Sequence, residues 1–493
     1  MDRSAFPSSL KDYGEILPYG GASTSTIRRK LLIDLDAAFS ACNIQDGATL
    51  SFHHHLRNGD AVLNMVLAVA ARRGLKDLQI AASSLFPVHE PLVEHIRRGT
   101  VTGISAGFIS GPVAEAISRG ELEKTATLRT HGGRARAIED GELSIDVVFV
   151  AAPAADPCGN LSGSFGPRAF GTMGYPKSDV LAARHVVAVT DTLMPFPLAQ
   201  IEIDQQSVDW VVEVDRIGDA SGILSGITKP TTEPIGLEIA QRTADVIEAS
   251  GLLVPGFSLQ NGAGGISIAT ASVLAKRMTL LGVKGSFASG GITDFHVQML
   301  ENDLFESLLD VQCFDLSAVQ SYIRNPRHLG MSASVYANPN QRGSVVDMLD
   351  AVVLGAAEID LDFNVNVTTR ADGKIMGGSG GHADTADGAK LTIITTRLNA
   401  AGFPKIVEKV GTITTPGKTV DVLVTEAGIA VNPQRDDLVE RLHSSGIKLC
   451  NIEDLQQKAA AGSQRQPCHP NEGRIVAVSQ YRDGTVTDLI RQV

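Results

Sequence analysis

The sequence predicts an α/β protein of two similar units, each a mainly parallel sheet flanked by helices, and three observations carry the prediction. Short apolar segments with strand character alternate with amphipathic helical segments through the first half. The alternation restarts beyond residue 230, and in both halves a strand runs through a tight turn directly into a helix. Such alternation makes βαβ units, because parallel strands need long crossovers. The 493 residues also exceed what one core supports, since cores stop growing at about 250–300 residues. The expected division is one unit over 1–230 and a second over 231–493.

The elements follow in order. STIRRKLLIDLDAAFSACNI places Leu31, Leu32, Leu35, Ala38 and Phe39 at helical spacing. ATLSF is a short strand, HHHLRNGD a turn, and AVLNMVLAVAARRG a helix with a basic last turn stopped by Gly74. LQIAASSLF, VTGISAGFI, ATLRTHGG and IDVVFVAAPAAD continue as strands, with GPVAEAISRGEL as a helix among them. HVVAVTDTL and VDWVVEV close the first half. PTTEPIGLEIAQRTADVIEASG is a long helix leading into FSLQNGAGGISIATASVLAKRM, which reads strand, glycine turn, helix. Open parallel sheets bind ligands at the carboxyl ends of their strands, so a site between the halves follows.

Composition narrows the function. An apolar share of 43% with 49 glycines fits a compact α/β enzyme with many tight connections. A net charge of −12 argues against nucleic acid, which needs a basic face to displace counterions. Cys42, Cys158, Cys313, Cys450 and Cys468 are scattered without a Cys-x-x-Cys pair, and read as reduced thiols with no metal. The N-terminus lacks an apolar signal core, and no run of apolar residues is long enough to span a bilayer. A cytoplasmic protein with no membrane role is the expectation.

Four stretches carry candidate chemistry. GGSGGHADTADGA, residues 377–389, matches a dinucleotide fingerprint at Gly378, Gly380 and Ala383, but strand-like AKLTIITT follows where a helix should. What remains is a loop of unhindered N–H groups fit to hold an oxyanion or a thin ligand arm, against the plainer reading of a turn between core strands. EIDLDFNVNV alternates as a strand with Glu358, Asp360, Asp362, Asn364 and Asn366 on one face, and carboxylates in such a row are costly unless hydrated, paired or useful. In HHHLRNGD, adjacent histidines point to alternate faces, which disfavours one shared metal; Arg57 and one histidine beside an anion fit better. PAADPCGNLSG sets Asn160 in a turn, where Asn and Gly also serve simply as turn formers, and Cys158 has no base near it in sequence.

Together and in order, these pieces resemble the coenzyme A transferase superfamily, and over its full length the chain resembles the citrate lyase alpha-subunit group within it. FSLQNGAGGISIA is similar to the Leu-Gln-x-Gly-x-Gly turn of acetate-type CoA transferases, AAEIDLDFNVN to their Ala-x-Glu-x-Asp-Leu strand, the glycine loop to their Gly-x-Gly-Gly-x-x-Asp, and VDVLVTEAGIAVNP to their Val-Thr-Glu-x-Gly-x-Ala segment. Those relatives form a glutamyl thioester from a glutamate in His-Ser/Thr-Glu-x-x-Ser-Asp-Gly; the matching segment here is KGSFASGG, with Ser286 in the glutamate's place.

The resemblance implies an acyl-thioester transferase of citrate metabolism without a covalent enzyme–CoA. Citrate would displace acetate from an acetyl thioester through a transient mixed anhydride within a ternary complex. No cofactor would be permanently bound; acetyl-CoA, or the phosphopantetheine arm of an acyl-carrier protein, would be the co-substrate. Partners would be the gamma acyl-carrier and beta lyase subunits, with the chain a homo-oligomer inside a hetero-oligomeric complex. Catalysis would fall to Ser286, Gly380, Gly381 and Glu358; the thioester arm to Gln260, Gly262, Gly264, Gly378, Gly380 and Asp384; citrate to His55, Arg57, Asn160 and Ser289. Alternatives within the fold are another carboxylate CoA-transferase or acyl-CoA hydrolase working through Glu358, or a citramalate lyase alpha subunit. A non-catalytic ligand-binding scaffold is the last.

Overall fold

The structure is a computed structural model that describes residues 30–224, 230–262, 264–469 and 472–493. The N-terminal lead-in and the first part of the helix expected there lie outside these residues. Two large sheets organise the chain. The first runs Leu31–Leu32, Trp210–Glu213, His185–Thr190, Val147–Ala152, Thr49–Phe52, Leu78–Ala82, Val101–Ala106, Ala126–Arg129, Ile475–Gln480 and Val486–Arg491. The second runs His328–Gly330, Phe305–Cys313, Gly285–Ile292, Ser258–Asn261, Ala351–Gly355, Leu391–Thr395, Val422–Thr425 and Gly428–Val431. Pairing is parallel throughout except at the last strand of each. Among the described residues no helix is long and apolar enough to cross a membrane.

Periodicity located most elements, and local chemistry explains the departures. Leu31 and Leu32 are an edge strand beside Val211 and Val212, and the helix Leu35–Ala41 begins only after Asp34, whose carboxylate caps the Ala37 N–H at 2.8 Å. ATLRTHGG is strand only to Arg129; Thr130 caps Gly133 and opens the helix His131–Glu139. EIDLDFNVNV is a tight hairpin of Glu358–Asp360 against Val365–Asn366, with Phe363 at φ +63°. The glycine loop is followed by a short helix, His382–Gly388, before the strand Leu391–Thr395.

The two sheets divide on either side of residue 230, but the end of the chain does not stay with the second. Residues 475–491 return as a hairpin whose first strand pairs with Ala126–Arg129 of the first sheet. At its start-to-turn corner, the Arg482 guanidinium reaches Asp387 at 2.9 Å, Asp347 at 3.1 Å and the Ala337 carbonyl at 3.0 Å, all in the second unit. Tyr481 Oη adds a bond to Asp387 at 2.8 Å. The hairpin clasps the two units together.

Backbone to backbone, the units meet where the helix His131–Glu139 lies on Ala333–Ala337. A side chain at Gly132 would stand 2.0 Å from the Ala337 carbonyl oxygen, so only glycine permits this approach. Asp384, fully buried, accepts the Gly132 N–H at 2.9 Å. Burial pushes its carboxyl up to about 6, against the pull of Arg482 and the Gly132 N–H.

This last shift makes a test. A folded-state pKa raised above the unfolded 3.8 means that the contribution to stability is full below pH 3.8 and is lost as pH rises through about 6. Asp384→Asn keeps an acceptor for Gly132 without a charge. Its melting temperature relative to the parent chain is therefore expected to rise between acidic and mildly alkaline buffer, by the equivalent of about 3 kcal/mol at most. Thermal unfolding of both proteins across that range measures it, and a flat difference would show that Asp384 is not held protonated.

Candidate active site

The carboxyl end of Thr49–Phe52 feeds His53, His54 and His55 into a 3₁₀ turn at Arg57–Gly59, in which Arg57 takes φ +51°. Facing it is the carboxyl end of Phe305–Cys313 in the other sheet. Gln312 Nε2 there donates to the His54 carbonyl at 2.8 Å. The Arg57 guanidinium lies over Phe314 at 4.5 Å and Phe86 at 5.3 Å. A ring cluster fills the seam: His54 and His131 each pack on Tyr175 at 4.7 Å, and His55 stacks on Phe170 at 4.8 Å.

Electrostatics make this pocket unusual. Burial pushes the His53 imidazole down to about 4 and His131 to about 3, helped by Arg134; His54 and His55 are held well below the ordinary value by burial and by their histidine neighbours. Arg57 is lowered by burial only to about 10, so it stays a cation. His54 Nδ1 meets Ser83 Oγ at 2.6 Å, whereas both ring nitrogens of His53 and of His55 are buried without a partner. Buried polar atoms left unpaired cost about 1–3 kcal/mol each. One cation among neutral imidazoles with unused nitrogens suits a polar anion that supplies the missing partners.

The glycine loop forms the opposing wall. Gly377 donates to the Thr368 carbonyl at 3.2 Å and accepts from Ile109 at 3.2 Å. Gly380, at φ +53°, donates to the Gly107 carbonyl at 3.1 Å and accepts from the His131 N–H at 2.8 Å. Its N–H is therefore spent. The Gly378 and Gly381 N–H groups have no protein acceptor among the described residues. A side chain at Gly378 would meet the Gly107 carbonyl at 2.5 Å, and one at Gly381 the Tyr336 hydroxyl at 2.4 Å. Beneath Gly381, Ser289 Oγ donates to Gln260 Oε1 at 2.9 Å and Gln260 Nε2 to Tyr336 Oη at 2.7 Å.

Arg57, His55, Gly378, Gly380, Gly381, Gln260 and Ser289 thus border one seam, or brace its wall. Gly262 spends its N–H on Val353, while Gly264 caps the helix Gly265–Leu281 with open space about it. Four expected residues stand elsewhere. Ser286 lies at the amino end of Gly285–Ile292, beside the Phe257 carbonyl, about 20 Å of extended chain from the carboxyl end where the site forms. Asn160 bonds to Asp156 at 2.7 Å and to Gln205, which closes its own turn. Asp384 is sealed under Gly132. Glu358 Oε2 accepts from Asn366 at 2.9 Å and Gly411 at 3.1 Å, with His469 Nε2 3.2 Å from Oε1, and these donors hold its carboxyl below its usual range despite burial.

The seam also holds residues that sequence reasoning passed over: His131, Tyr175, Tyr336, Gln312 and Phe314. Thr130 before His131-Gly132-Gly133 was the signal for a helix start, since Thr is a good N-cap. Behind Gln312, the buried Asp310, Cys313 and His328 group together, with Asp310 Oδ2 accepting from Cys313 Sγ at 3.0 Å and lying 3.1 Å from His328 Nε2. These bonds brace the strand end.

The model of the family Citrate lyase, alpha subunit (CitF) matches residues 28–493. The citrate lyase alpha chain of Escherichia coli (strain K12) is 47% identical over 466 residues, 94% of this chain and 91% of that one. Its counterpart from Klebsiella pneumoniae is 43% identical, covering 99% and 96%. Among solved structures, an alpha subunit of citrate lyase from Streptococcus mutans, in complex with citrate, superposes with a TM-score of 0.92 at 44% identity, covering 94% of this chain and 91% of that one. A Pseudomonas malonate decarboxylase hetero-tetramer shares the fold alone, with a TM-score of 0.66 at 17% identity over 88% and 90%. On this evidence the chain belongs to the citrate lyase alpha-subunit family, an enzyme subunit with the CoA-transferase-like fold.

Proposed function

We propose that this chain moves an acyl-carrier or CoA thiol from acetate to citrate, in a ternary complex and with no covalent enzyme intermediate. The observation that carries the reading is the seam itself. A buried cationic side chain and unpaired imidazole nitrogens face a glycine wall, and a relative of 44% identity is in complex with citrate. Arg57 and His55 hold carboxylates of citrate, and the N–H groups of Gly378 and Gly381 support the thioester arm and its oxygen.

The step balances without an outside acid or oxidant. A citrate carboxylate oxygen bonds to the acetyl carbonyl carbon, and the carbonyl electron pair moves onto oxygen. Collapse of that oxyanion expels the thiolate and leaves an acetyl–citryl anhydride. The thiolate then attacks the citryl carbonyl, and acetate leaves. Charge is conserved throughout, so the protein's work is to hold the reactants close and stabilise two oxyanions. The citryl thioester then passes to a partner that cleaves it, and the natural thiol is the pantetheine arm of an acyl-carrier subunit.

Glu358 serves as an anchor rather than a nucleophile. Its Oε2 accepts from Asn366 and Gly411 with His469 Nε2 3.2 Å from Oε1, and through Asn366, which holds the Thr368 N–H at 2.9 Å, it sets the carbonyl to which Gly377 is bonded. The CoA-transferase alternative that works through Glu358 is disfavoured by this arrangement.

Two outcomes test the reading. The full-length chain mixed with acetyl-CoA and citrate is expected to yield citryl-CoA and acetate by mass spectrometry, and borohydride added with acetyl-CoA should leave activity intact, because no glutamyl thioester exists to reduce. Failure of exchange would sink the transferase reading, and borohydride inactivation lost in Glu358→Gln would restore the covalent route. Separately, Arg57→Gln should raise KM for citrate by about 10- to 100-fold, the worth of a charge-assisted bond, while leaving KM for acetyl-CoA nearly unchanged. Equal weakening of both substrates in steady-state kinetics would remove Arg57 from citrate recognition.

A further inference from the structure

We infer that His131 is a catalytic hydrogen-bond donor of this enzyme: a neutral imidazole whose Nε2–H supports the oxyanion that forms on the acyl carbonyl. The inference deepens the transferase reading and rests on it.

Geometry comes first. His131 opens the helix His131–Glu139, and its backbone N–H grips the Gly380 carbonyl at 2.8 Å. The ring stands between two glycines. A methyl built on Gly107 would lie 3.1 Å from Nδ1, and one built on Gly380 would lie 3.4 Å from Nε2. The ring is therefore pinned between the end of Val101–Ala106 and the glycine wall, and it packs on Tyr175 at 4.7 Å and His54 at 6.0 Å. Its Nδ1 is sealed from solvent with no partner, although the residue as a whole is only half-buried. The open edge is thus the Nε2 side, facing the glycines.

The tautomer follows from what each nitrogen can bear. A buried N–H with no acceptor is rarer in proteins than a buried acceptor with no donor. Nδ1 is accordingly the bare nitrogen and Nε2 carries the proton. Every neighbour favours a neutral ring: Arg134 on its own helix, Arg57 and His54 on the facing turn, and the uncharged Tyr175, with Asp384 bonded to Gly132 instead of the imidazole. Burial and these two arginines push the ring down to about 3, so it donates without titrating. A neutral imidazole at a helix N-terminus polarising a carbonyl is an established device, described for triosephosphate isomerase. Here the backbone N–H groups of Gly378 and Gly381 lie along the same wall, and Nε2 adds a third donor where Gly380 has none to spare.

The test uses the full-length chain with acetyl-CoA and citrate. His131→Ala is expected to lower kcat about 100- to 1,000-fold, the usual worth of one such donor, with KM for either substrate changed less than about threefold. His131→Gln retains an N–H and should recover kcat to within about tenfold of the parent chain, with the same kcat profile over about pH 6 to 9. The carbonyl stretch of bound ¹³C-acetyl thioester should fall below its value in water for the parent chain and return towards it in His131→Ala. A kcat for His131→Ala within threefold of the parent would overturn the inference. So would a His131→Gln as inactive as His131→Ala with one limb of the pH profile lost, since that marks proton transfer. If His131→Ala does not fold, His131→Gln and the carbonyl frequency decide alone. Absence of exchange in the parent chain would instead sink the transferase reading, which keeps the two failures apart.

Discussion

One backbone stitch determines most of what the molecule can do: Gly380 is bonded through its N–H to Gly107 and through its carbonyl to His131. Both partners belong to the first unit and Gly380 to the second, so the carboxyl ends of two separate sheets are fastened at the level of their peptide groups. The stitch needs φ +53° at Gly380 and no side chain on Gly378, where it would meet the Gly107 carbonyl, or on Gly107, where it would meet the Ser83 carbonyl and the His131 ring. It also needs the units held in register. The returning C-terminal hairpin does this, with Arg482 spanning Asp347, Asp387 and the Ala337 carbonyl.

That fastening buries polar groups which would otherwise be hydrated, and the seam's electrostatics follow. Arg134 pairs with Asp179 at 2.6 Å and donates to Ser51 and to the Ala81 carbonyl, a buried cation under the histidines. Burial, with the Arg134 charge beside them, keeps His53 and His131 neutral against the pull of Asp179 on His53. Arg57 keeps its charge because its guanidinium rests on the faces of Phe86 and Phe314, where an aromatic quadrupole replaces part of the lost water. A site so arranged suits the proposed roles, a cation for an anion and neutral donors for a carbonyl.

Much of this was legible in the residues. Alternating periodicity located the strands and helices, since one-sided burial forces the pattern, and the glycine loop and Arg57 stood out because their chemistry is local. What escaped depended on contacts across the chain. EIDLDFNVNV alternates perfectly yet turns at Phe363, because Asp360 accepts from the Asn364 N–H and side-chain amide and closes the hairpin without glycine. Ser286 was matched by spacing along a string, but the sheet register sets it at the amino end of its strand, and the shift in pairing between Gly290 and Gly291 lies nearer the site. No local pattern announces that residues 475–491 rejoin the first sheet, or that His131 faces Gly380, since each partner lies about half a chain or more away.

The seam also bears on the proposed route, in which no glutamate of the chain forms a thioester. A covalent route requires a carboxylate that can move onto the thioester carbonyl. Glu358 Oε2 is held by Asn366 and Gly411, Asp384 Oδ2 by the Gly132 N–H under a helix start, and Asp310 is bound into the Cys313–His328 group. Each is engaged in holding a wall of the seam in place. Were one of them to attack an acyl group, its hydrogen bonds would break and the wall it supports would shift, raising the barrier it was meant to lower. Direct attack by the substrate's own carboxylate avoids that conflict, because the attacking group is then the one that leaves the site.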